Sequence, residues 1–69
     1  MQQMTLAINA WNDAKARAYA LGLGDLARRY APKVKMLDSA SQVNKRTADL
    51  RTAISAALAM RAAESEKQA

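Results

Sequence analysis

LGLGDLARRYAPKVKMLDSASQ, residues 21–42, decides how this chain folds. It holds both glycines and the single proline of a 69-residue chain. Outside it, Ala, Leu, Met, Arg, Lys and Gln dominate, and all are good helix formers. β-branched residues are sparse and do not alternate with polar ones as strands require. The fold class is therefore all-α, and the breaks between helices must be sought in these 22 residues.

Three signals divide the stretch. Gly22 and Gly24 suit the position just past a helix end, where a positive φ is wanted. Asp25 reads as the N-cap of a new helix, with Arg28 and Arg29 near its C-terminus, where cations suit the macrodipole. Pro32 lacks an N–H and disfavours helical geometry at Ala31, so the chain either turns or kinks there. Further on, Ser39 and Gln42 have capping-box spacing.

Working outward, a first helix is expected over about 4–21. Met4, Ala7, Trp11, Ala14, Ala18 and Leu21 recur at 3-4-3-4 spacing and form one stripe, flanked by Ile8. Asp13 and Arg17 are spaced for an i, i+4 pair. A Gly turn at 22–24 leads to a short helix of about 25–37, broken or kinked at Pro32. The last helix is expected over about 39–63, followed by a polar, fraying tail at 64–69. Met36, Ala40, Val43, Thr47, Leu50, Ile54, Ala57 and Arg61 form its stripe, about three heptads long, with Leu58 beside it.

The chain thus reads as a single domain, 1–69: a helical hairpin or small three-helix unit. In the hairpin form the first and last helices pair antiparallel, or the first helix runs through the glycines to Tyr30. The core is thin. Seventeen of the 35 apolar residues are alanine and there is no Phe. A chain this short buries only roughly 60% of its unfolded surface. With no Cys and no His, neither a disulfide nor an ordinary zinc site can reinforce it. Pairing of two copies into a dimeric helical bundle, with coiled-coil packing, is the expected remedy. Its seam would be Met4, Ala7, Trp11, Ala14, Ala18, Leu21, Met36, Val43, Leu50, Ile54 and Ala57.

Composition also bounds function. General acid–base catalysis usually relies on His or facing carboxylates. There is no His, and Asp13, Asp25, Asp38 and Asp49 are spread along the chain. No Lys-Ser/Thr follows the glycines to make a phosphate loop. The chain reads as a non-enzyme with no catalytic, cofactor or metal residues. The most apolar run, 52–60, is far short of the ~20 residues a membrane helix needs. No secretory leader is legible. The expected compartment is the cytoplasm, or a host's cytoplasm for a phage gene, and the Ala- and Arg-rich composition suits a bacterial or phage source.

Net charge is +5, and residues 26–37 concentrate four cations with no acid among them. Arg28, Arg29, Tyr30, Lys33 and Lys35 form the candidate partner-binding corner, since Arg and Tyr are frequent interface anchors. The leading expectation is a protein partner, met by an adaptor, inhibitor or assembly subunit. The alternative is a small dimeric DNA-binding regulator, with a degenerate helix-turn-helix laid over residues 25–44. That motif's turn glycine is missing near Ala31. The duller reading is a solvated corner, in which Asp25 pairs with Arg28 and Arg29, and Asp38 with Lys35. A third class is an oligomeric binder of an anionic small ligand.

Overall fold

The computed structural model describes residues 2–33 and 39–68. They form three α-helices: α1 (Gln2–Ala20), α2 (Gly24–Tyr30) and α3 (Ala40–Gln68). The architecture is a small all-α three-helix unit. It is elongated, 50 × 18 × 16 Å, because α3 is 29 residues long and outruns its neighbours.

The helix ends follow from local chemistry. Gly22 adopts φ +73°, the left-handed conformation. Its N–H donates to the Tyr19 carbonyl at 3.1 Å, and the Leu23 N–H donates to the Ala18 carbonyl at 2.7 Å. These are the two bonds of a Schellman motif, which satisfies carbonyls left open at a helix C-terminus. A continuous helix from α1 through to Tyr30 is thereby ruled out. The Arg61 guanidinium, from α3, donates to the Leu21 carbonyl at 2.9 Å and caps the same end. Arg61, read from the sequence as a member of the apolar stripe, is exposed and serves as this cap instead.

Asp25 is not the N-cap of α2. That position is Leu23, which has no side chain able to cap, and Asp25 lies in the first helical turn. A carboxylate there still complements the N-terminal dipole. Gly24 has a different role from Gly22: a Cβ on it would sit 2.6 Å from Cε1 of Tyr19, whose ring leans over the start of α2. Ala31 has φ −55° and ψ 134°, the extended geometry favoured before proline, so α2 stops at Tyr30 and Pro32 ends a helix rather than kinking one. Ser39 does cap α3. Its Oγ accepts the Gln42 N–H at 3.3 Å, and its carbonyl accepts the Val43 N–H at 3.1 Å. From there α3 continues to Gln68, more than a turn past the expected end at 63, through the segment expected to fray.

The packing order differs from the hairpin expectation. Gln3, Leu6 and Ala10 of α1 share a groove with Ala40, Ser41 and Asn44 of α3. Farther along, Asp13 and Arg17 share one with Arg51 and Ser55, and Leu21 meets Arg61. The two long helices therefore run parallel, not antiparallel. Chain length permits this order. α1 advances roughly 28 Å at 1.5 Å per residue. The return is made by the seven-residue α2 and the nine residues between Tyr30 and Ala40, and a chain can span up to roughly 3.3 Å per residue.

The core lies between α1 and α3 and is closed by α2. Ala7, Trp11, Ala14, Ala18, Ala27, Val43, Leu50 and Ile54 are buried, and Met4, Leu21, Leu23, Leu26, Tyr30, Ala40 and Leu58 pack against them. Alanine on the facing sides lets helix axes approach toward the ~8 Å end of the usual range. Thr47 is buried inside the α3 stripe, and its hydroxyl donates to the Val43 carbonyl at 3.0 Å. This local bond removes the cost of an unpaired buried hydroxyl.

Candidate interaction surface

The basic corner is built by α2 and the turn after it. Tyr30, the last residue of α2, is half-buried against the core cluster, so its ring fixes the corner to the body instead of standing free. Arg28 is largely exposed and its guanidinium is bound by the Asp25 carboxylate, one turn earlier on α2. Arg29 and Lys33 are exposed and have no ion-pair partner among the described residues. Lys35, with the Lys35–Asp38 pairing read from the sequence, lies outside the described residues. So do Met36 of the expected seam and Val34, Leu37 and Asp38 around it. Of the five residues assigned to the corner, Arg29 and Lys33 are the open cations among those described. Arg28 is partly neutralised, and Tyr30 is a support.

The remaining seam residues converge within one chain. Ala7, Trp11, Ala14 and Ala18 of α1 face Val43, Leu50 and Ile54 of α3, with Met4, Leu21 and Ala57 at the margin. Trp11 retains only 8% of its surface. These stripes are covered by the chain's own helices.

Sequence reasoning missed a second surface. On the flank of α1 opposite Tyr19 and α2, the α1–α3 seam lies open as two shallow grooves of about 580 and 440 Å³. The first has a mostly small-residue wall with Leu6 at its edge, 67% exposed. The second is polar, with Asp13, Arg17, Arg51 and Ser55 around a floor of Ala14 and Ile54. No Asp13–Arg17 ion pair forms among the described residues, although the spacing would permit one. A helix-period pattern shows which face is buried against which stripe. It does not show that α2 covers one flank and leaves the other bare.

The helix-turn-helix reading, laid over residues 25–44, runs partly outside the described residues. Such a motif joins two helices through a turn of three or four residues. Here Ala31–Lys33 and Ser39 lie outside any helix, and Ser39 opens α3. No single recognition helix can therefore span residues 33–44. Gln42 and Asn44 are both exposed on the first turns of α3, separated from the corner by the Ser39 cap.

Among the described residues, no group of three or more acidic, His or Cys side chains is placed to hold a metal ion. No helix among them is long and apolar enough to cross a membrane. No family model, curated protein or solved structure matches the chain.

Proposed function

We propose that this chain is a small non-enzymatic binding module, a cytoplasmic adaptor, inhibitor or assembly subunit that works as a homo-oligomer and engages an acidic protein through its basic corner. The observation that carries the reading is the pair Arg29 and Lys33, exposed and without ion-pair partners among the described residues, on a corner pinned by half-buried Tyr30. Cations already held near their final positions lose less side-chain freedom on binding than cations on a loose loop. The net charge of +5 adds long-range attraction for an acidic partner. The lack of His, and the spread of the aspartates along the chain, support a binding role over catalysis.

Duplex DNA is the competing acidic partner, and one pair of measurements separates the two. Labelled duplex DNA is titrated at about 50 and 200 mM salt, and the chain is used as bait against its source lysate. The protein reading expects one partner retained at stoichiometric yield by the wild type and lost by an Arg29→Glu/Lys33→Glu double variant, with little DNA bound. Tight DNA binding that falls ~10³-fold or more between the two salts, and that the same variant abolishes, would replace the protein reading with DNA binding through released counterions.

A further inference from the structure

The C-terminal end of α3 leaves its own chain. Arg61 meets Leu21 at the end of α1, so residues 62–68 continue the helix where neither α1 nor α2 can cover it. All of residues 61–66 are exposed. Two helical turns beyond any tertiary support are marginal on propensity alone. The same flank of α3 carries a second stripe, which shares only Leu58 with the residues packed against the core. Arg51, Ser55, Leu58, Ala62 and Glu66 recur at 4-3-4-4 spacing, and Arg51 and Ser55 line the open groove. Leu58 is half-buried; the other four are exposed. The stripe is basic at one end, apolar in the middle and acidic at the other.

A stripe of this kind is complementary to itself when reversed. We infer that this face of α3 is a homodimer interface, in which a second copy lies antiparallel across it with the two-fold axis near Leu58. Placing Leu58 opposite Leu58 sets Arg51, seven residues or roughly 10 Å from the axis, level with Ser65 and beside Glu66 of the second copy. Symmetry makes that contact twice, as an isologous interface requires. The alternatives are worse. A parallel pair sets Arg51 against Arg51 and Glu66 against Glu66. An antiparallel pair centred on Arg51 again opposes two guanidiniums. A register centred on Ser55 sets Arg51 beside Ala59 and leaves Glu66 unmatched. Ser55 and Ala62, which flank Leu58, are small enough for close helix approach, and on the neighbouring wall of the groove Asp13 and Arg17 offset each other, which leaves Arg51 as the net positive charge at that end.

The inference rests on the oligomer part of the proposed function and supplies its surface. The apolar share is small, so the dimer is weak and salt-sensitive. Sedimentation from about 5 to 500 µM at low salt should show a monomer–dimer equilibrium with Kd of order 10–100 µM. Arg51→Glu or Glu66→Arg alone should weaken it by roughly tenfold or more, since each breaks two symmetric pairs. The double variant Arg51→Glu/Glu66→Arg should recover most of the loss, because both pairs reform with reversed polarity. The chain has no cysteine, so Leu58→Cys should yield a covalent dimer on mild oxidation, while Met60→Cys, on the other side of α3, should not. Far-UV circular dichroism confirms that each variant is folded. Dimerisation that ignores both charge reversals, with no cross-link in the Leu58→Cys variant, overturns this interface but leaves the oligomer reading standing. A monomer at the highest concentration overturns both.

Discussion

Gly22 and Gly24 stand two residues apart and are glycine for different reasons. Gly22 holds φ +73°, where any L side chain is strained. At Gly24 the obstacle to a Cβ is the Tyr19 ring, the end of a half-exposed side chain that can rotate away. Gly22→Ala should therefore cost about 1–2 kcal/mol. Gly24→Ala should cost clearly less, offset by the better helix propensity of alanine in the first turn of α2. Thermal melts of the two variants check this. In a domain of this size, ~1 kcal/mol shifts Tm by roughly 4–8 °C. Both glycines were legible from sequence as helix punctuation, but which one needed the positive φ depended on where the Schellman bonds closed. Asp25 was misread at this scale. Acidic side chains suit both the N-cap and the first turn, and a small shift in the helix start exchanges the roles.

At the scale of elements, the two long helices depend on unlike caps. α3 starts on a local cap, the Ser39 hydroxyl accepting from Gln42, and its spacing is visible in sequence. α1 ends on Gly22 and on Arg61, whose guanidinium reaches a carbonyl 40 positions away in the chain. No local pattern could announce that second cap. Ser39→Ala should lower stability by about 1 kcal/mol, the usual value for a lost N-cap. Arg61→Gln should lower it by less, about 0.3–1 kcal/mol, and the loss should shrink with added salt because a cation at a helix C-terminus is screened. Urea melts at two ionic strengths separate the two kinds of cap. The Ser39 effect is salt-independent and the Arg61 effect is not. The α3 stripe, from Val43 to Ala57, was readable because a buried helix face imposes its period whatever helix lies opposite.

For the whole molecule, the decisive fact is that the two apolar stripes close on each other inside one chain. Leu50 is fully buried and Val43 nearly so, without any second copy. The core stripes therefore need no second copy to be buried. Diluting the protein well below the Kd of the proposed dimer should leave most of its far-UV circular dichroism intact. Leu50→Ala should destabilise the monomer itself by about 2–5 kcal/mol. Against a total stability of roughly 0.05–0.15 kcal/mol per residue, that is enough to unfold much of the population. A dimer zipped through the core stripe would instead unfold on dilution alone.

Composition and the 3.6-residue period determined the all-helical class, the absence of His and Cys, the face each helix buries and the Ser39 start of α3. These are local properties, set by propensity, capping and the repeat of apolar side chains. The tertiary structure alone decided that α1 and α3 run parallel. It also set α2 over one flank, left Arg29 and Lys33 open, and carried α3 beyond its support. Each of these depends on the path of the chain between helices and on which side of a seam a short helix settles. Periodicity within a helix carries no term for either.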